Sequence, residues 1–179
     1  MSDSRYLPDA VFEPAPAGSR VRLATVLTLA VVVIAMAATT AAMVHERRPP
    51  PWPAFLAAPV VVLALAVSWF GARVRRYRLT ADGLRVERAF QTVRFTLAGL
   101  ESAVSDRGAL QGARKISGND GLGAVAGRFR SKRLGRFRAY LTDAEHAVVL
   151  RWPDRCLVIS PQQHSLFIES VRKRAGLSR

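Results

Sequence analysis

The sequence predicts a membrane α-hairpin of two transmembrane helices joined to a mostly β barrel closed by a C-terminal helix. Three observations point there. Two long apolar stretches without charge lie between residues 23 and 72. Of the 27 Lys and Arg residues, 22 lie from Arg73 onward against 9 acids, so this part holds most of the +14 net charge. From Tyr77 the pattern changes to short alternating runs broken by turn residues.

Residues 1–20 come first. They carry Pro8, Pro14, Pro16 and Gly18 and show no hydrophobic periodicity, so they read as a disordered cytoplasmic tail. Tyr6, Leu7, Val11 and Phe12 are apolar points in it that would suit a short docking motif.

Residues 21–72 read as the transmembrane hairpin. Leu23 to Val44 is uncharged, between Arg20 and Arg22 on one side and Glu46, Arg47 and Arg48 on the other. As a helix it spans about 33 Å, enough to cross a hydrocarbon core of about 30 Å. It is longer than a signal-peptide core, and Asp3, Asp9 and Glu13 precede it in place of a clean positive region, so a retained span is expected. The second stretch runs from Trp52 to Ala72. Pro53 suits a first helical turn, and Pro59 should bend the helix without abolishing it. Trp52 and Trp69 lie about 26 Å apart on a helical rise, as paired interfacial anchors would. The link His-Glu-Arg-Arg-Pro-Pro-Pro allows only a tight hairpin. Arg20, Arg22, Arg73, Arg75, Arg76 and Arg78 outnumber Arg47 and Arg48, which puts both termini in the cytoplasm. Trp52, Trp69, Arg73, Arg75 and Arg76 are the expected membrane-interface anchors. Small residues at helical spacing (Ala37 with Ala41, Ala38 with Ala42, and Ala64, Ser68 and Ala72) would let the helices approach closely.

Residues 73–179 read as the β domain. Tyr77–Thr80 and Leu84–Glu87 flank Asp82-Gly83, a strong hairpin signal. Val93–Phe95, Leu100–Val104, Phe137–Leu141, Ala147–Leu150 and Cys156–Ile159 complete about seven short strands. Ser160-Pro161 reads as a helix N-cap and first position. Leu166, Phe167, Ser170 and Val171 then recur at helical spacing, with Arg172, Lys173 and Arg174 at the helix end. One helix plugging a small barrel follows.

These residues carry a resemblance. Tyr77-x-Leu79-Thr80-x-Asp82-Gly83-Leu84 is followed by Gly121-x-Gly123-x-x-x-Gly127-x-Phe129, then Leu134-Gly135-x-Phe137-x-x-Tyr140-x-Thr142 and Ile159-Ser160-Pro161. From about Arg73 to Arg174 the chain resembles the bacterial PH-like (pleckstrin-homology-like) domains that follow transmembrane helices. The resemblance implies a noncatalytic binding or scaffolding module, an adaptor or sensor in a bacterial inner membrane, and it names no ligand. A structural subunit assembled through the hairpin is the rival expectation.

The most unusual local feature is Gly127-Arg-Phe-Arg130 repeated as Gly135-Arg-Phe-Arg138. In extended chain the arginines share one face and Phe129 and Phe137 the other. Arg128, Arg130, Lys132, Arg133, Arg136 and Arg138 would then form one cationic surface, free of acids, for anionic lipid headgroups or an acidic protein partner. Inward-alternating aromatics argue against nucleic acid. The Gly121-x-Gly123-x-x-x-Gly127 run misses dinucleotide spacing and has no ribose-binding acid after it, so it reads as a flexible loop. His45, His146 and His164 stand apart from acids and from Cys156 at metal-ligand spacing, so no metal or other cofactor is expected. Asp143 and Glu145 read as exposed turn acids, Ser160 as a cap, and Cys156, within an apolar run, as a core residue. No catalytic constellation emerges.

Overall fold

The computed structural model describes residues 8–46 and 52–177. The strand β1 (Ala10–Phe12) precedes two helices, α1 (Ser19–Glu46) and α2 (Trp52–Ala72). Both helices are apolar around most of their circumference. Leu23, Val26, Leu27 and Ile34 of α1 and Val60, Leu63, Val67 and Phe70 of α2 are exposed. Among the described residues one helical stretch, Ser19–Ala42, is long and apolar enough to cross a membrane, and the apolar stretch Pro59–Ala72 is shorter. Of the small residues expected to pair the helices, Ala72 is buried, whereas Ala37, Ala38, Ala41, Ala42, Ala64 and Ser68 are exposed.

After α2 come β2 (Val74–Thr80), β3 (Gly83–Arg88) and β4 (Thr92–Phe95), which with β1 make an antiparallel sheet ordered β1-β2-β3-β4. The strands β5 (Ser102–Ser105), β6 (Arg114–Asp120), β7 (Val125–Ser131), β8 (Gly135–Leu141), β9 (Val148–Arg151) and β10 (Cys156–Ile159) follow. They form a second sheet ordered β5-β9-β10-β8-β7-β6, antiparallel except at β10–β8. The chain ends in α3 (His164–Ala175).

The sheets face each other across the main core. Tyr77, Leu79, Leu84 and Val86 enter it from the first sheet, Tyr140, Leu150, Leu157 and Ile159 from the second, and Phe167 and Val171 from α3. The other face of the second sheet buries a smaller core of Val125, Phe129, Phe137, Leu141 and Val158 beneath Ala109, Leu110 and Val21 of α1.

Four sequence expectations change. Among the described residues no strand pair joins the two sheets, so they stack as two layers and no closed barrel is formed: β4 and β6 are both edges. The inner face of β7 and β8 carries arginines, whose charge opposes burial in a dry seam.

The second change is at the N-terminus. Residues 8–18 are part of the fold, with Ala10 opposite Leu79, Val11 opposite Arg78 and Phe12 opposite Tyr77. The Phe12 ring meets Phe167 edge-on at 5.1 Å. Pro14 bridges Pro161, and the hydrogen bonds run beside them, from Ala15 N–H to the Ser160 carbonyl (2.8 Å) and Gln162 N–H to the Glu13 carbonyl (2.9 Å). Neither proline needs the N–H it lacks. Gly18 N–H then donates to the Thr142 carbonyl at 3.0 Å. The folded unit thus combines residues 8–18 with residues 73–177, and both helices are inserted between these two parts.

Third, Ser160 does not cap the last helix. Its buried hydroxyl accepts from the N–H of Thr142 (2.9 Å) and of Asp143 (3.3 Å). Its own N–H donates to the Tyr77 hydroxyl (3.2 Å), which donates to the Tyr140 carbonyl (2.7 Å). The helix starts three residues later, with Gln163 at its N-cap, carries Arg172, Lys173 and Arg174 in its last turn as expected, and ends on a left-handed Gly176.

Fourth, the glycine-rich stretch between β6 and β7 is a seated contact. Gly121 and Gly123 adopt φ of 111° and 77°, and a methyl group would overlap Ala24 at the first and Trp69 at the second. Gly123 N–H donates to the Thr25 hydroxyl at 3.2 Å, and Arg20 pairs with Asp120 at 3.0 Å. The loop is wedged between the start of α1 and the end of α2. Only glycine fits so close an approach at positive φ.

Candidate anion-binding trough

The repeated Gly-Arg-Phe-Arg tetrads become adjacent antiparallel strands. In their register Arg128 lies opposite Arg138, Phe129 opposite Phe137, and Arg130 opposite Arg136. Phe129 and Phe137 are buried and stack with ring centroids 5.9 Å apart. The arginines share a face with Ala126 and Tyr140, because side chains two apart along a strand point the same way. Ala126 and Tyr140 belong to the core between the sheets. The arginines therefore continue the inner face of the sandwich, beyond the point where its two layers separate.

That opening is a trough. One cavity of about 490 Å³ is bordered by Arg94 of β4, Arg128, Arg136 and Arg138 of β7 and β8, and Arg155, with Asp154 its lone acid and Phe95, Trp152 and Leu157 its apolar wall. A second of about 780 Å³ also borders Arg128 and Arg138 and continues along Phe90, Val93 and the last turns of α2. Among the described residues Arg94, Arg128, Arg130, Arg136 and Arg138 form no ion pair. Arg155 lies over the Trp152 ring at 4.9 Å and 3.9 Å from Asp154. The Trp152 indole N–H is buried without a hydrogen-bond partner. Like charges directly opposite each other across a ladder are destabilising, and this surface has two such pairs on β7 and β8 alone.

The six sequence-predicted cations divide. Arg128, Arg136 and Arg138 line the trough. Arg130 stands in the adjoining row, between Arg136 and Arg114 of β6. Lys132 is exposed in the β7–β8 turn, and Arg133 is paired with Asp106. Arg94 and Arg155 were missed, because each is isolated in sequence and joins the cluster only through the fold.

Of the expected interface anchors, Trp52 begins α2 with its side chain outside the described residues. Trp69 packs on the glycine loop and carries the Arg73 guanidinium at 4.7 Å from its ring centroid. Arg75 is exposed, and Arg76 pairs with Glu87 at 3.3 Å. Arg88, not singled out in the sequence, donates to the Gly71 carbonyl at 2.7 Å and so caps the C-terminal end of α2. Phe90 is 71 % exposed beside Gly71 and extends the aromatic rim begun by Trp69 and Phe70. Its sequence signal was a large apolar residue at the tip of a hairpin.

Cys156 borders the trough wall as a buried free thiol, and burial pushes its pKa up, leaving it mostly protonated and unreactive. Asp143 is not an exposed acid: its carboxylate meets His146 Nδ1 at 2.6 Å, and the His146 ring lies edge-on to His164 at 5.7 Å. Among the described residues no group of three potential ligands could hold a metal.

A two-layer β domain closed at one end by a helix, with its open end lined by five guanidinium groups against one carboxylate, defines a small binding module. Residues 75–175, more than half of the chain, match the family model of the bacterial PH domain, and the chain belongs to that family. No curated protein and no solved structure matches it.

Proposed function

We propose that the chain is a noncatalytic binding module held at the inner face of a bacterial membrane by a two-helix hairpin, its trough taking an acidic protein segment. The observation that carries this reading is a two-walled cavity with five guanidinium groups against one carboxylate. Guanidinium groups bind carboxylates through paired, charge-assisted hydrogen bonds.

The two-span topology has support beyond hydropathy. Residues 8–18 and 73–177 build one folded unit, so α1 departs from it and α2 returns to it. If α1 crosses a bilayer, α2 must cross back. The arginine excess at this end favours the cytoplasmic side.

Lipid headgroups are the competing anions. The headgroup layer on one side of a bilayer is only about 6 Å deep, and charge is screened over about 8 Å at physiological salt. The glycine loop marks the helix ends. The second cavity brings Arg128 and Arg138 beside the last turns of α2, whereas Arg94, Arg136 and Arg155 border the first cavity and not the second. A headgroup at the helix ends therefore meets only the nearer pair, and an elongated ligand entering from the cytoplasm can meet all five arginines.

The test uses the full chain in nanodiscs of zwitterionic lipid and a fluorescent glutamate-rich peptide. Expected are binding that weakens with salt and its loss when Arg128→Ser and Arg138→Ser are combined. Absence of binding at low salt, or binding that persists in the double variant, refutes the reading. A cysteine placed at Pro50 should react with an impermeant reagent from the periplasmic side. Reaction only from the cytoplasmic side refutes the hairpin.

A further inference from the structure

We infer that the acidic segment binds as an added β-strand on the open edge of β4, its acidic side chains facing the arginines of β7 and β8. The inference rests on the acidic-protein reading and specifies how that partner is held.

The edge is available. Among the described residues β4 pairs with β3 alone, and the four-stranded sheet stops there. The turn is closed by Arg88 N–H donating to the Gln91 carbonyl at 2.9 Å, and Val86 lies opposite Val93. In an antiparallel ladder hydrogen-bonded and non-hydrogen-bonded pairs alternate. Counting from the turn, Val93 bonds inward to β3, whereas Thr92 and Arg94 direct their main-chain N–H and C=O groups to the open side. Unpaired groups of this kind are a template for another strand.

The trough supplies the rest. A strand laid on β4 would present alternate side chains to the facing wall, where Arg128, Arg136 and Arg138 stand. Arg94 of β4 also borders the cavity and adds a cation at the open edge. The apolar wall contains the Trp152 indole N–H, a buried donor still without an acceptor. The fold also shows that so short an addition suffices at the opposite edge of this sheet: β1 is a three-residue strand contributed by a segment from before α1. A compact phosphate or headgroup could neutralise one arginine pair, but it would leave the β4 edge open. An extended acidic chain meets both features.

The probe is a nine-residue peptide of alternating Glu and Thr, measured by fluorescence anisotropy against the full chain in zwitterionic nanodiscs. Two further versions carry N-methyl groups, on all Glu residues or on all Thr residues. In a strand all residues of one face direct their N–H to the same edge. Strand addition therefore predicts that one methylated version binds more than tenfold more weakly while the other keeps its affinity. Equal affinity of both versions overturns strand addition yet leaves the acidic-segment reading standing. If the unmodified peptide binds the Arg128→Ser, Arg138→Ser protein as well as the parent, the acidic-segment reading itself fails. Anionic nanodiscs that displace the peptide completely at physiological salt would assign the trough to lipid and overturn both.

Discussion

At one edge of the four-stranded sheet, β2 is covered by β1, Phe12 packs on Phe167, and residues 13–18 bond to the chain around Thr142 and Ser160. At the other edge, β4 faces a cavity walled by five arginines, of which only Arg155 forms an ion pair among the described residues. One edge is capped by a short strand whose continuation is hydrogen-bonded to the second sheet, and the other is cationic and unfinished. The difference separates what holds the domain together from what it keeps available. An unprotected β edge invites unwanted pairing, and surrounding it with like charge admits only a strand that brings the opposite charge. The closed edge also ties residues 8–18 to the domain that follows α2, so the sheet that binds also sets the helix ends.

The largest effect should come from breaking the closed edge. Phe12→Ala removes a nearly buried ring from the contact with Phe167 and should destabilise the domain by about 3 kcal/mol. Urea unfolding of the full chain in detergent measures it. A loss below about 1 kcal/mol would mean that residues 8–18 merely lie on the domain, and the distinction between the two edges would fail.

Next in size is the hydrogen-bond knot beneath that edge. The Tyr77 hydroxyl donates to the Tyr140 carbonyl and accepts from Ser160 N–H, so Tyr77→Phe should cost about 1–3 kcal/mol at neutral pH. Burial pushes the Tyr77 pKa up from 10.0 to about 12. The folded state therefore holds this proton more tightly than the unfolded state. Its contribution is complete below pH 10 and is lost as the pH rises toward 12, with a slope of up to about 1.4 kcal/mol per pH unit. The stability difference between parent and Tyr77→Phe should therefore shrink from pH 9 to pH 11. A difference that stays constant would mean that the hydroxyl is not buried as described.

What the sequence revealed follows the range of the interactions. The Asp82-Gly83 hairpin, the alternating Arg and Phe of both tetrads, the apolar α1 and the basic last turn of α3 were legible, because each depends on neighbours a few residues apart. The strand Ala10–Phe12 was not. Three residues are too few to show a period, and their partners lie near Tyr77, across two helices. The strand Arg114–Asp120 is largely exposed, so it has no apolar alternation to read. The trough was only half visible. The Gly-Arg-Phe-Arg repeat indicated a charged face, but not that this face looks inward across a gap toward Arg94 and Arg155. Ser160 misled for a related reason: Ser-Pro is a common helix start, and the long-range pairing of Pro161 with Pro14 took the position first.

The smallest effect on stability, and the sharpest on the comparison, concerns Arg138. It lies directly across the ladder from Arg128, and neither forms an ion pair among the described residues. Relieving that repulsion by Arg138→Ser should raise stability by about 0.5 kcal/mol at low salt. The gain should fade by 1 M salt, where the screening length drops to about 3 Å. The same substitution should weaken binding of an acidic peptide severalfold. Opposite signs for stability and binding are what a surface kept ready for an anion requires, because the stored repulsion is released only when the ligand arrives. A loss of stability instead would mean that the Arg138 stem serves as packing along Tyr140 and Leu157. The open edge would then be as structural as the closed one.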